Sequence, residues 1–364
     1  MTDSASTSKV SLLGTPADDP LVSAAGADSS AGLARDPSAP DLGEPHGAPS
    51  KIDMHHHFCA PEWREWAARH GLIKPEKLPP WSRLDIDAAV DFMNRAGIAT
   101  AVLKPMLPAR YRSSAQLREA INITMQSALE VAASHPGRFS FYVPLFLDDL
   151  DASSWAVRRG LGQLGAVGVN VTANYGGVYL GDPTYDRVFH ELNDASAVVD
   201  THPHNLPDGA PGAVTVPGIP NFMCDFLLDT TRAAVNMITH RTLDRFPNIA
   251  VILPHAGGFL PYIAGRLEAL GRFCDPPLEP AAVRDHLRRF YYDTAGPMAG
   301  AAALLDHVPA DHILFGTDWP AAPADTVTKL AIRALEADPA LTPGQLKGIY
   351  HDNALRLIPQ LASV

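Results

Sequence analysis

The stretch of sequence that decides the fold is 51–58, which reads KIDMHHHF. Its short, mostly apolar pattern predicts a β-strand, and side chains two residues apart on a strand point to the same face. Asp53, His55 and His57 are therefore expected on one face, with His56 on the other. Two imidazoles on one face of a buried strand can bind one cation, and the alternative is a pair of ordinary hydrogen-bonded histidines. We predict that His55 and His57 bind a metal ion.

Seven further short apolar segments follow along the chain, and longer segments with helical spacing separate them. The predicted strands are 51–58, 99–106, 139–147, 166–174, 197–204, 249–257, 290–295 and 313–319. The predicted helices are 85–96, 113–134, 183–195, 226–246, 260–273 and 342–358. Near-continuous apolar strands are typical of a parallel sheet that is covered on both faces. The alternation of strands and helices therefore predicts an α/β protein.

The positions of unusual polar residues decide between a closed barrel and an open, doubly wound sheet. Such residues occur at the C-terminal ends of the first, fifth, sixth and eighth predicted strands. In a closed (β/α)8 barrel these ends meet at one mouth, where enzymes with this fold have their active sites. In an open sheet the first and last strands do not generally meet. We therefore predict that residues 51–364 form a (β/α)8 TIM barrel.

The fifth predicted strand ends in the sequence VVDTHPH, residues 198–204. By the same alternation, Asp200, His202 and His204 share one face. His202 lies at the end of the strand, because Pro203 interrupts the hydrogen-bond ladder. We predict that His202 is the third imidazole ligand and that His204 is a loop residue beside the mouth.

The sixth and eighth strands end in a histidine and an aspartate. His255 is followed by Ala-Gly-Gly, and glycines let the backbone approach a ligand closely. Histidine titrates near neutral pH, so His255 is the predicted acid–base residue, with a structural role at a turn as the alternative. A buried Asp318 is costly unless it is paired or bound to metal, and a helix N-cap is its alternative role.

Three imidazoles and one carboxylate suit Zn²⁺, with Mn²⁺ as the second candidate, and leave one position open for water or substrate.

Length and composition indicate a folded, acidic protein. The 364 residues suffice for one large barrel or for two ordinary domains, and a hydrophobic share of 46% provides a sizeable core. The formal net charge is −11 and no run of Lys and Arg occurs, so nucleic acid and anionic membranes are not expected as partners. An acidic enzyme needs a local Arg, Lys or metal ion to bind an anionic substrate.

Cysteine content and the N-terminal segment bear on location and on domain organisation. The three cysteines show no CxxC spacing, which predicts no disulfide framework and a cytoplasmic location. No apolar run reaches the length of about 18 residues that a transmembrane helix requires. Residues 1–50 contain no Phe, Trp or Tyr and are rich in Ala, Ser, Asp, Pro and Gly, so we predict a disordered tail there.

At these motifs the chain resembles the metal-dependent decarboxylase branch of the amidohydrolase superfamily, over about residues 51–358. That branch includes aminocarboxymuconate semialdehyde, γ-resorcylate and 6-methylsalicylate decarboxylases. Further shared features are YLGD at 179–182, DTTR at 229–232, the run 255–266 and Asp293. The resemblance implies that the metal ligands are His55, His57, His202 and Asp318. It also implies that His255 is an acid–base residue near the metal and that Asp318 takes part in catalysis.

The resemblance further implies a substrate contact by Arg266 and a homodimer, and Trp319 and Lys104 are two further candidate substrate contacts. Arg266 stands where the family uses an arginine to bind a substrate carboxylate, which in some members enters the neighbouring subunit's site. Trp319, directly after Asp318, is expected beside the substrate. Lys104 departs from the small residues and glycine that are typical of 6-methylsalicylate decarboxylases at this position. It is either a second anchor for an anionic substrate or a surface lysine.

We predict a non-oxidative decarboxylation of an aromatic, salicylate-like or muconate-like carboxylic acid. Either a metal-activated water assisted by His255, or direct ring protonation by an acid near Asp318, would make the carbon tetrahedral before CO₂ leaves. The same ligands would serve a second class of reaction, hydrolysis of a lactone or amide or hydration of a double bond. A third alternative is a protein without enzymatic activity, in which the metal is structural and fully coordinated.

Overall fold

The computed structural model describes residues 50–83, 85–206, 216–296 and 301–363. The predicted tail at residues 1–50 therefore lies outside the described residues, except for Ser50. Within these four described ranges, no helix is both long enough and apolar enough to cross a membrane.

Eight of the described strands form one parallel sheet. In chain order the strands are β1 (Lys51–Phe58), β2 (Ile98–Pro105), β3 (Phe139–Pro144), β4 (Gly168–Thr172), β5 (Asn174–Tyr175), β6 (Val178–Tyr179), β7 (Val198–His202), β8 (Ala250–Leu253), β9 (Tyr291–Asp293) and β10 (Ile313–Leu314). The sheet order is β1-β2-β3-β4-β7-β8-β9-β10, and β5 pairs with β6 as an antiparallel hairpin. Sequence neighbours in the sheet are joined by crossovers, as expected for alternating strands and helices.

The sheet closes into a barrel where the first strand meets the segment after the last. The backbone N–H of Met54 donates to the Phe315 carbonyl at 2.9 Å, and that of His57 donates to the Trp319 carbonyl at 2.7 Å. The Asp318 N–H donates in return to the His55 carbonyl at 3.0 Å. The predicted (β/α)8 barrel is therefore confirmed, and the open sheet is excluded.

Helices cover the outside of the barrel. They are α1 (Pro61–Arg69), α2 (Ile86–Ala96), α3 (Ser114–Ser134), α4 (Leu150–Gln163), α5 (Asp186–Asp194), α6 (Asp225–Thr239), α7 (Thr242–Arg245), α8 (Leu260–Leu270), α9 (Pro280–Arg289), α10 (Ala302–Leu305), α11 (Ala324–Thr326), α12 (Arg333–Glu336), α13 (Pro343–Lys347) and α14 (Asn353–Leu357). Two π-helical segments, Val327–Ile332 and Gly348–Asp352, lie among the last four.

Local capping explains where two predicted helices begin. The side chain of Asp85 accepts a hydrogen bond from the Ala88 N–H, which caps α2, and Ser113 caps α3 in the same way. The predicted helix at 226–246 is in fact two helices, because Arg241 adopts a left-handed backbone conformation with φ of +50°. The predicted helix at 342–358 contains the π-helical segment Gly348–Asp352, which interrupts its α-helical hydrogen bonding.

The barrel interior changes from apolar to polar along the strands. One buried cluster includes Ile52, Val102, Tyr142, Val198, Ile252 and Leu314, one residue from each of six barrel strands. Because side chains alternate along a strand, Lys104 lies on the same face as Val102, and Asp200 on the same face as Val198. Each polar residue lies closer to the C-terminal end of its strand than the apolar residue on the same face does, so the interior becomes polar towards the mouth.

An irregularity in β1 alters the expected distribution of side chains. The pairing of β1 with β2 shifts register between Asp53 and His56, as at a β-bulge. His56 Nδ1 lies 2.8 Å from Asp53 Oδ2, although alternation places these side chains on opposite faces. The ring of His56 packs on Trp319, with ring centroids 4.9 Å apart. The expectation that Asp53 points with His55 and His57 was therefore wrong.

Candidate metal centre

The structure brings the four predicted metal ligands together at the mouth of the barrel. His55 and His57 come from β1, His202 ends β7, and Asp318 follows β10. One donor atom from each residue lies within 4.8 Å of the donor atoms of the others. His57 Nε2 is 2.8 Å from Asp318 Oδ1, and His55 Nε2 is 3.4 Å from the same oxygen. This spacing allows the four atoms to contact one common cation.

The protonation preferences of His57, His202 and Asp318 fit a divalent cation. Burial and Lys104 would lower the pKa of His55, but Asp293 and Asp318 outweigh them and raise it to about 9, so a cation would displace a proton from that imidazole. Burial lowers the pKa of His57 to about 4 and also lowers that of His202, because it disfavours the charged imidazolium. Burial would raise the pKa of Asp318, but hydrogen bonds from His55 and His57 outweigh it and lower that pKa. Neutral imidazoles and an ionised carboxylate are the forms in which these residues bind metal. Two imidazole Nε2 atoms, of His55 and His57, approach to 3.3 Å, which suits lone pairs directed at one ion.

Asp293 at the end of β9 positions His55 within this centre. Its Oδ2 lies 2.7 Å from His55 Nδ1, and both side chains are fully buried. Its Oδ1 accepts hydrogen bonds from the backbone N–H groups of His255 and Ala295, at 2.9 and 3.0 Å. Burial would raise the pKa of Asp293, but the adjacent His55 outweighs it and lowers that pKa. The sequence showed Asp293 only as a feature shared with the family it resembles, and its position near the end of a predicted strand was the one available signal for this contact.

His255 lies beside the proposed ligands. Its Nε2 is 4.0 Å from Asp318 Oδ2, and its ring centroid is 5.3 Å from that of His55. Burial lowers the pKa of His255 to about 4, so the imidazole is neutral at pH 7. Its backbone has a φ of +53°, a left-handed conformation that is costly for a residue with a side chain. A strained backbone that directs a neutral imidazole towards a cluster of donors is consistent with an acid–base residue.

The two glycines after His255 have a packing role. A Cβ on Gly257 would lie 2.7 Å from the ring of Tyr292, and one on Gly258 would lie 2.3 Å from the Leu227 carbonyl oxygen. Both residues also have positive φ. These glycines thus allow the turn to pack against β9 and α6, whereas the sequence suggested that they let the backbone approach a ligand.

The three predicted substrate contacts occupy very different environments. Lys104 is fully buried, and its Nζ lies 3.1 Å from Asp200 Oδ2. Trp319 is buried on the outer side of β1, stacked on Phe92 with ring centroids 5.0 Å apart. Arg266 is exposed on α8. In this chain alone the three side chains do not converge on one pocket.

His204 is a loop residue after β7. Its backbone N–H donates to Asp229 Oδ2 at 2.8 Å, and its Nδ1 lies 2.9 Å from the Asn205 carbonyl. It does not belong to the group of four donor residues at the centre.

Two aromatic residues that the sequence did not reveal flank the metal centre. The half-buried Trp81 ring lies 5.6 Å from the His57 ring, and the half-buried Phe226 ring lies 6.2 Å from the His202 ring. Both occur outside the strands, in the segments that follow β1 and β7. Trp81 lies in the short helical turn Pro80–Arg83 and Phe226 in the first turn of α6, and neither pattern reports that the ring faces the centre.

Three imidazoles and one carboxylate at the C-terminal mouth of a (β/α)8 barrel are the arrangement of a metal-dependent barrel enzyme. Comparison with known families agrees with this class. The chain belongs to the Amidohydrolase family, whose profile matches residues 52–360.

Similar proteins include several decarboxylases. The 6-methylsalicylic acid decarboxylase acuB of Aspergillus aculeatus is 31% identical over 85% of this chain and 96% of its own length. The gamma-resorcylate decarboxylase of a Rhizobium species is 28% identical over 74% of this chain and 88% of its own. Among solved structures, a dihydroxybenzoic acid decarboxylase from Polaromonas, with bound manganese and 2-nitroresorcinol, has a TM-score of 0.71. It is 22% identical and covers 85% of this chain and 97% of its own, so it supports the fold.

Proposed function

We propose that this chain is a metal-dependent, non-oxidative decarboxylase of a salicylate-like aromatic carboxylic acid. The observation that carries the proposal is the group of four donor residues, His55, His57, His202 and Asp318, beside His255. The similarity to a 6-methylsalicylic acid decarboxylase over nearly its full length supports the reaction class. Residues 51–364 would form one catalytic domain, and residues 1–50 a separate tail.

The proposed cofactor is one divalent cation, Zn²⁺, with Mn²⁺ as the alternative. Three imidazoles favour Zn²⁺, whereas the manganese in the Polaromonas enzyme favours Mn²⁺. Such an ion would supply a Lewis acid for the substrate's oxygens and lower the pKa of bound water. Metal analysis of the purified chain, followed by reactivation of metal-free protein with each ion, distinguishes the two.

The chain's own residues would manage the proton that decarboxylation requires. The bond between the ring carbon and the carboxyl carbon breaks, CO₂ leaves, and a proton takes its place on the ring carbon. His255 is neutral and borders the mouth, so it can first accept a proton from water or from the substrate and then, as the imidazolium, return a proton to the ring carbon. Ring protonation by an acid near Asp318 and attack by a water that His255 assists remain the two routes.

Trp81 and Phe226 support an aromatic substrate. The half-buried ring of Trp81 contacts His57, and that of Phe226 contacts His202, so each ring packs on a different proposed ligand. Aromatic rings gain by stacking or edge-to-face contact with a flat substrate. A ring carboxylate bound at the centre would therefore contact apolar aromatic surface on either side.

We also propose a homodimer that uses the exposed face of α8. Tyr262, Arg266 and Leu270 are four residues apart and so share one helix face. Tyr262 is 88% exposed, and nearby in sequence Phe273 is 74% exposed. Several large exposed apolar side chains on one helix and the turn after it are typical of a protein–protein interface. In the dimer Arg266 would bind the substrate carboxylate in the partner's site, which would account for its exposure on its own subunit.

Light scattering of the purified chain tests the dimer. The parent is expected to be dimeric, and Tyr262→Glu together with Leu270→Glu is expected to give monomers. Arg266→Lys keeps the charge but loses the two-pronged contact with a carboxylate, so it should raise KM and leave the dimer intact. A monomeric parent would contradict this arrangement.

The free cysteines Cys59, Cys224 and Cys274 support the proposal of a reducing, cytoplasmic location.

The activity is tested with metal-loaded chain and a panel of ortho-hydroxybenzoates that includes 6-methylsalicylate and 2,6-dihydroxybenzoate. The expected result is release of CO₂ and a phenol lighter than the substrate by the mass of CO₂. A product heavier than its substrate by one water, from a lactone, amide or alkene panel, would instead establish a hydrolase or hydratase. Absence of CO₂ from every acid with stoichiometric metal present would overturn the proposal.

A further inference from the structure

Lys104 crosses the interior of the barrel. It lies on β2 and is fully buried, and its Nζ is 3.1 Å from Asp200 Oδ2 on β7. The same ammonium donates to the Thr201 carbonyl oxygen at 3.1 Å. β3 and β4 lie between β2 and β7 in the sheet, so these contacts span the barrel and do not follow its wall.

The same ammonium contacts the proposed metal centre. Lys104 Nζ is 3.2 Å from Nδ1 and 3.3 Å from Nε2 of His55. The Nε2 atom is the one that His55 directs towards His57 and Asp318. Asp200 precedes His202 by two residues on one strand face, so the pair of Lys104 and Asp200 adjoins ligands on both β1 and β7.

The buried carboxylates around this pair outnumber its one ammonium group. Asp200, Asp293 and Asp318 each contribute one negative charge, whereas Lys104 contributes one positive charge. A divalent ion would bring the positive total to three and equal the negative total. Buried charges are costly unless opposite charges compensate them, so a cation beside Lys104 depends on Asp200 to offset the ammonium.

We propose that Lys104 and Asp200 form a positioning pair whose charge balance sets the affinity of the centre for a divalent cation. The pair lies beneath the proposed ligands and acts through them. Asn170 Nδ2 donates to Asp200 Oδ2 at 2.7 Å and holds the carboxylate beside the ammonium. This inference rests on the proposed metal site but not on decarboxylation.

Zn²⁺ affinity of metal-free, full-length protein tests the pair, measured by competition with a chromogenic chelator. Asp200→Asn leaves an uncompensated ammonium beside His55, so we expect affinity to fall by about tenfold or more through charge repulsion. Lys104→Met removes the repelling charge, so affinity is expected to stay equal or to rise. In the double variant both charges are absent, and affinity should return to within about threefold of the parent.

The pattern across these variants separates charge from mere packing. Equal losses in Lys104→Met and Asp200→Asn, or an unchanged affinity in Asp200→Asn, would overturn the proposal. If Asp200→Asn fails to fold, Lys104→Met decides alone, because a tenfold loss there contradicts the expected sign. Tyr142→Phe is the matched control, because Tyr142 is also fully buried and lies on β3, between the strands that carry the pair. The Zn²⁺ affinity of this variant should match the parent's. A parent that binds no Zn²⁺ would refute the metal site itself, whatever the variants do.

Discussion

Asp293 Oδ2 lies 2.7 Å from His55 Nδ1, and both side chains are completely buried. A carboxylate at Nδ1 holds the proton there and leaves the Nε2 lone pair free for a cation. The other oxygen of Asp293 accepts the His255 backbone N–H at 2.9 Å. One carboxylate therefore orients a proposed metal ligand and the proposed acid–base residue together.

Asp293→Asn is expected to weaken Zn²⁺ affinity by about 10-fold to 100-fold, because an amide orients His55 less firmly and makes it less basic. Chelator competition on metal-free protein measures the change. Asp91→Asn, at an exposed carboxylate on α2, is the control and should leave affinity unchanged. Parent-like affinity in Asp293→Asn would show that the contact does not support the metal centre.

His255→Asn should separate proton transfer from metal binding. The side chain is near Asp318 but is not one of the four donor residues, so Zn²⁺ affinity is expected to remain close to the parent's. Loss of a positioned acid–base group commonly lowers kcat by roughly 10²-fold to 10⁴-fold. Steady-state rates on the best ortho-hydroxybenzoate, with metal content measured on the same samples, give the answer. A kcat near that of the parent would exclude His255 from proton transfer.

Trp81 should contribute to substrate binding through its aromatic face. Trp81→Phe keeps a ring next to His57, whereas Trp81→Ala removes it. We expect Trp81→Ala to raise KM several-fold, since an aromatic contact contributes about 0.5–1.5 kcal/mol, and Trp81→Phe to remain near the parent. Trp66→Phe, at a buried tryptophan of α1, is the control for general destabilisation. Equal KM values in the alanine and phenylalanine variants would argue against stacking.

The fold could be predicted from the sequence because its signals are local. Apolar strands alternate with amphipathic helices, and each of the eight predicted barrel strands overlaps an observed one. The predictions extended too far at C-terminal ends, as in 313–319, where the ladder includes only Ile313–Leu314. Beyond Leu314 the chain leaves the ladder although residues 315–317 and 319 remain buried, so burial extends further than the strand itself.

The candidate site was predictable only where a residue's role follows from its own strand. His55, His57, His202 and Asp318 could be identified because polar residues at the ends of apolar strands are unusual. The contacts of the Lys104 side chain could not be predicted, because they depend on which strand lies across the barrel. The contact of Asp53 with His56 depends on a register shift that no alternation pattern contains.

Thr317 is expected to stabilise the closure of the barrel through Asp53. The Thr317 hydroxyl donates to Asp53 Oδ2 at 2.6 Å, and its N–H donates to Asp53 Oδ1 at 3.0 Å, so the two join the first strand to the segment after the last. Thr317→Val removes the hydroxyl donor from a fully buried carboxylate.

A lost hydrogen bond to a buried charged group costs about 1–3 kcal/mol of unfolding free energy. Urea unfolding of the metal-free chain measures this cost without the contribution of bound metal. Thr328→Val is the matched control, because the Thr328 hydroxyl is also buried but donates to the Ala324 carbonyl within its own helical segment. That bond joins neighbouring turns and closes no sheet, so its loss should cost clearly less. If both valine variants lose the same stability, the Asp53–Thr317 contact is an ordinary buried hydrogen bond and the backbone pairing of β1 closes the barrel without it.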